Sequence, residues 1–142
     1  MNQCADASPL IAADVVRGVS RLLFRHDFMA LSEVPLANGR RADLMALDAR
    51  GQVVIIEIKV SRADLRGDAK WPDYLDYCDR FFFGVTEDFP CDLIPEDVGL
   101  IVADGFGGAI LRESPTRPLA GARRKAVTLL FARLAAARLT NL

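Results

Sequence analysis

The run Val53-Val54-Ile55-Ile56-Glu57-Ile58-Lys59-Val60 constrains this chain more than any other segment. Six of its eight residues are Val or Ile, the composition of a central β-strand covered on both faces. Such a strand has little room for lone charges. This one nonetheless carries a carboxylate and an amine two residues apart, and period-two geometry puts both on one face. An ionised group buried without a partner is costly, so the pair implies a metal ion, a counter-charge or an open cleft at the strand end.

The neighbouring segments frame that strand. Leu10, Val15, Val19, Leu22 and Leu23 recur at helical spacing behind Ser8-Pro9, an N-cap followed by proline, which predicts a helix over about 9–25. Extended segments over 28–36, 40–48 and 53–60 are separated by Ala37-Asn38-Gly39 and Ala49-Arg50-Gly51, and they read as a β-meander. A three-residue loop with Gly51 left-handed would pair Asp48 with Gln52, setting Asp43 opposite Glu57 and Arg41 opposite Lys59. A one-residue slip would part those charges onto opposite faces. The same loop at the first turn would set Glu33 opposite Asp43, whereas a two-residue Asn38-Gly39 turn would not; the sequence leaves both open.

Beyond the meander, Ser61–Asp68 is polar, a helix is expected from Pro72 to about Cys78, and a strand over Arg80–Val85. The stretch 88–99 reads as loop, 100–103 and 109–112 as a hairpin, and Ala120–Leu139 as a long closing helix. That helix has a broad apolar face, which must dock on the sheet or on a second copy in a homodimer.

With 142 residues the chain suits a single domain, 1–142. No apolar run reaches the roughly 20 residues needed to span a bilayer, and the first residues lack the form of a signal peptide, so a cytoplasmic protein with no membrane partner is expected. Cys4, Cys78 and Cys91 show no metal-binding spacing, and His26 reads as a helix-end residue. The formal charge of −1 lacks the overall basic character of many nucleic-acid binders, although a local patch can still act. Fifteen of the eighteen basic residues are Arg, so Lys59, Lys70 and Lys125 stand out as places that use a compact ammonium.

An acid on the second strand and an acid-x-Lys on the third, in the order helix, three antiparallel strands, helix, strand, resemble the PD-(D/E)xK nuclease superfamily. Here the signature reads Asp43 followed by Glu57-Ile58-Lys59, with Ala42 in place of the proline. The longer strings Gly39-Arg40-Arg41-Ala42-Asp43-Leu44 and Lys70-Trp71-Pro72-Asp73-Tyr74-Leu75-Asp76-Tyr77-Cys78-Asp79-Arg80-Phe81-Phe82-Phe83 are similar to the MmcB-like DNA repair protein family. The likeness covers about residues 10–140 and implies an α/β (α+β mixed sheet) fold. Its core would be restriction-endonuclease-like, αβββαβ, extended by a β-hairpin and a long C-terminal helix. It further implies a role in bacterial DNA repair, with DNA and other repair proteins as partners.

Two converging carboxylates suit Mg2+ or Mn2+, hard ions that prefer oxygen ligands. Asp43 and Glu57 are the expected metal ligands, with Lys59 orienting the attacking water and offsetting charge in phosphodiester hydrolysis. Glu33 is a candidate third carboxylate and Lys70 a further catalytic candidate. Arg40, Arg41, Arg62, Arg66 and Lys70 are candidates for phosphate contacts, and Trp71 and Tyr74 for base stacking. The spacing of Tyr74 and Tyr77 equally fits packing against a sheet. The opposing reading of the site is a cross-strand salt bridge among Asp43, Glu57, Lys59 and Arg41. In function, a metal-dependent deoxyribonuclease stands against a catalytically inactive nuclease-fold module that binds DNA or a repair partner.

Overall fold

Helix α1 runs from Pro9 to Arg25 in the computed structural model, which describes residues 9–140. Ser8, the expected N-cap, and Cys4 lie outside the described residues. Val15, Val19, Leu22 and Leu23 form the buried stripe of α1, as their spacing requires. The helix stops at Asp27, a left-handed residue with φ 63°, where the Phe28 N–H returns to the Leu23 carbonyl at 2.8 Å.

The meander follows as β1 (Met29–Pro35), β2 (Arg41–Leu47) and β3 (Val53–Lys59). Both turns are three-residue loops closed by a left-handed glycine, Gly39 at φ 87° and Gly51 at φ 81°. Asp48 therefore pairs with Gln52, and Leu44 lies opposite Ile56, as expected. At the first turn the Leu36 N–H bonds the Arg40 carbonyl at 2.8 Å and Val34 faces Ala42, which resolves that register in favour of the longer loop.

The connection out of β3 differs in detail from expectation. Ser61 caps a one-turn helix, α2 (Arg62–Arg66), through its side chain and the Asp64 N–H. The expected helix over 72–78 is instead a 3-10 helix, Trp71–Tyr77. Its inward side chains Tyr74 and Tyr77 are three apart, the repeat that a three-residue turn superimposes. Strand β4 (Arg80–Val85) then returns parallel to β3. A further short 3-10 turn, Cys91–Leu93, interrupts the expected loop. Strand β5 (Gly99–Ala103) is parallel to β4, and β6 (Gly108–Arg112) closes the hairpin. The result is a six-stranded mixed sheet in the order β1-β2-β3-β4-β5-β6, with α3 (Gly121–Thr140) at the end of the chain.

Alternation along β2, β3 and β4 divides the apolar side chains between two cores. Leu44, Ala46, Val54, Ile56 and Phe82 face α1. Met45, Ile55, Phe81 and Phe83 face the other way, against Tyr74, Tyr77 and the α3 residues Val127 and Phe131. At the N-terminal end of β3 and β4, Asp79 is 2% exposed and ties this second layer together. Its carboxylate accepts from Val53 N–H, Leu119 N–H and both terminal nitrogens of Arg124, at 2.6–2.9 Å. No helix among the described residues is long and apolar enough to cross a membrane.

Candidate active site

At the opposite end of the sheet, the β2–β3 ladder gives way to side chains. Beyond Leu44 and Ile56, the Asp43 N–H donates to Glu57 Oε2 at 2.7 Å and the Ile58 N–H donates to Asp43 Oδ2 at 2.8 Å. Each carboxylate thus takes a backbone donor from the strand opposite. A neutral acceptor could end a ladder equally well, so the use of two acids here calls for its own explanation.

The electrostatics sharpen that point. Burial pushes the Glu57 carboxyl well above its usual range, and the adjacent Asp43 charge pushes it further. Burial likewise raises Asp43, against the lowering effects of the Ile58 N–H and the Lys59 charge. Glu57 is 5% exposed, and among the described residues neither acid has an ion-pair partner. Tyr74, also buried, donates its hydroxyl to the Arg41 carbonyl at 3.0 Å. Its own pKa is raised by burial and then by the charges of Glu57 and Asp43.

Lys59 projects beside the two acids and pairs elsewhere. Its Nζ lies 2.7 Å from Asp68 Oδ2, with both side chains 12% exposed. Asp68 is the site residue that sequence reasoning missed. An acid in a polar, Gly-containing connection reads as solvated, and only the folded path of 61–70 brings it to β3. Its other oxygen accepts from the Lys70 N–H at 2.9 Å, and its charge contributes to the rise of Glu57.

Glu33 enters the same neighbourhood. It sits between the β1 pairs Ser32–Leu44 and Val34–Ala42, in line with Asp43, at φ 50°. That left-handed backbone is strained for a glutamate, a feature that concentrates at functional sites. Glu33 and Asp43 line a cleft of about 480 Å³, together with Ile58, Val60, Asp64 and the start of α1. Glu57 and Lys59 are set off from its walls.

The cationic candidates divide. Arg40 is engaged by Asp73 at 3.0 Å. Arg41, Arg62, Arg66 and Lys70 are exposed, and none forms an ion pair among the described residues. Trp71 stacks on Phe81 with ring centroids 5.6 Å apart and meets Phe83 edge-on. Tyr74 also stacks on Phe81, with ring centroids 6.1 Å apart. Both rings are thus part of the second core. Cys78 is buried, which pushes its thiol up to about 12 and leaves it inert.

The donor chemistry fits a hard divalent ion. Asp43 and Glu57 offer oxygen donors held in place by backbone N–H groups, as outer-shell partners hold the ligands of metal sites. No group of three or more His, Cys, Asp or Glu among the described residues is arranged to hold a metal. The fit is therefore to an ion that keeps most of its waters, as Mg2+ does.

Comparison with known proteins agrees with this architecture. A solved structure of a protein of unknown function from Silicibacter pomeroyi is 44% identical, with a TM-score of 0.87 over 94% of this chain and 90% of that one. No curated protein matches. The family model described as DNA repair protein MmcB-like matches residues 4–142, and the chain belongs to the MmcB-like family.

Proposed function

We propose that this DNA repair family member hydrolyses phosphodiester bonds of DNA with the help of a divalent metal bound by Asp43 and Glu57. The observation that carries the reading is the juxtaposition of two partly buried carboxylates, each bonded to the other strand's backbone, with no cation in ion-pair contact among the described residues. Two partly buried carboxylates whose charges oppose one another favour the binding of a cation from solution. When bound, Mg2+ or Mn2+ would neutralise charge on the scissile phosphate and acidify a water.

The chain's own groups supply the rest. Lys59, held by Asp68, presents an ammonium whose remaining donors can orient the attacking water and offset charge on the phosphoryl oxygens. Arg41, Arg62, Arg66 and Lys70 are exposed and form no ion pair among the described residues, so they are free to receive phosphates. The test is cleavage of single-stranded, duplex and branched DNA, with and without Mg2+ or Mn2+, by wild type, Asp43→Ala and Lys59→Ala proteins of equal fold. Metal-dependent cleavage by the wild type alone supports the reading. DNA binding without turnover by any of the three supports the second reading, a non-catalytic module, which the engagement of Lys59 by Asp68 favours.

A further inference from the structure

The charge of this chain is near zero only as a sum. Residues 81–111 contain Glu87, Asp88, Asp92, Glu96, Asp97 and Asp104 and no Lys or Arg, whereas residues 112–140 hold seven Lys or Arg against Glu113 alone. Helix α3 has five of those cations and no acid. The acidic block folds as the β4–β5 connection and the β5–β6 hairpin, on one flank of the sheet. The basic helix crosses the face that also bears Glu57 and Lys59, since Val127 and Phe131 share a core with Ile55 and Tyr74.

The five cations of α3 have different employment. Arg124 is bound to Asp79, Arg123 lies 4.3 Å over the Tyr77 ring, and Arg138 donates to the Glu33 carbonyl at 2.9 Å. This last contact fixes the C-terminal end of α3 to the rim of the cleft that Glu33 and Asp43 line. Lys125 and Arg133 are exposed and have no acidic partner among the described residues. They lie on the side of α3 away from Val127 and Phe131, eight residues or about 12 Å apart along the axis. That span corresponds to three to four base-pair rises of a duplex, at roughly 3.4 Å of axis each.

From this placement we infer that the outer face of α3 is a nucleic-acid track on which Lys125 and Arg133 contact phosphates of a strand leaving the Asp43 cleft. The inference rests on the DNA-directed reading above but is independent of turnover. It resolves how a chain of net charge −1 can hold a polyanion: the acidic flank repels the backbone and the unpaired cations receive it. A track beside the site also gives affinity to phosphates remote from the reacting bond, which orients the substrate without contact to the reacting atoms.

The test measures binding of single-stranded and duplex DNA by fluorescence anisotropy in EDTA, from 50 to 200 mM salt, so that cleavage is silent. The proteins are wild type, the double variant Lys125→Ala/Arg133→Ala, and Arg25→Ala as a control at the C-terminal end of α1, the end remote from the residues that line the cleft. Alanine suits a helix, so α3 is retained. The expected result is a double variant with weaker binding and a log–log salt slope reduced by about 2, one for each lost phosphate contact, with Arg25→Ala unchanged. Equal slopes for wild type and double variant, an equal loss in Arg25→Ala, or no DNA binding by the wild type would each overturn the track. Cleavage that survives in the double variant while binding weakens leaves the catalytic reading intact.

Discussion

Lys59 and Asp68 form an ion pair at 2.7 Å that joins the end of β3 to the connection after α2. The pair links the two halves of the site, because Asp68 is held to Lys70 while Lys59 is two residues from Glu57. Its 12% exposure on both sides makes it nearly a buried pair. Removing one partner leaves the other desolvated and alone.

Asp68→Ala is therefore expected to destabilise the protein by about 2 kcal/mol, somewhat below the cost of breaking a fully buried pair. The double variant Lys59→Met/Asp68→Leu is expected to cost less than the sum of the single changes, since no lone charge remains. Urea denaturation of wild type, Asp68→Ala, Lys59→Met, Asp68→Leu and the double variant checks both. Additive losses would mean that the two side chains do not interact.

Glu57→Gln keeps an oxygen to accept the Asp43 N–H and removes the like charge beside Asp43. Without metal the variant should be more stable than wild type by about 1 kcal/mol, or roughly 3 °C in Tm. With Mg2+ the order should narrow or reverse, because only the wild type gains from the ion. Thermal melts in EDTA and in Mg2+ decide the matter.

Asp79 gives a pH dependence. Burial alone would raise its carboxyl, but the Arg124 hydrogen bonds, with those from Val53 and Leu119, hold it below the usual carboxylate range. A depressed folded value means stability present above the ordinary carboxylate pKa of about 3.9 and lost as pH falls through the folded value. Asp79→Asn should cost about 3 kcal/mol at neutral pH and should flatten the loss of wild-type stability below about pH 5. Urea midpoints from pH 7 to pH 3 measure both effects.

Gly18 marks where α1 meets the β5–β6 hairpin. A Cβ there would run into the Asp104 carbonyl oxygen, a backbone atom that cannot rotate away. Gly18→Ala should cost at least 2 kcal/mol despite the better helix propensity of alanine, as measured by urea unfolding.

Much of this architecture was legible because local chemistry determined it. Gly51 left one comfortable loop for the second turn, and that loop sets Leu44 opposite Ile56, one step from the bond between the Asp43 N–H and the Glu57 carboxylate. The first turn was ambiguous because Asn38-Gly39 satisfies a two-residue turn as well as a three-residue one. The fold resolves it by register with β2, a contact that no local signal carries. The 3-10 form of Trp71–Tyr77 was missed because apolar spacing of three fits both helices over a short run. The spacing of Tyr74 and Tyr77 fits core packing as well as base stacking, while the packing of Trp71 on Phe81 and Phe83 depends on β4, which no local signal carries. Asp68 left no signal, since its role depends on a non-periodic connection folding back on β3.

Calorimetric titration of Mn2+ into the full chain asks whether Asp43 and Glu57 hold a divalent ion, as proposed above. One binding event in the wild type, abolished in both Asp43→Asn and Glu57→Gln proteins that remain folded, is the predicted result. No binding by the wild type, or binding of equal affinity in all three proteins, would contradict the account.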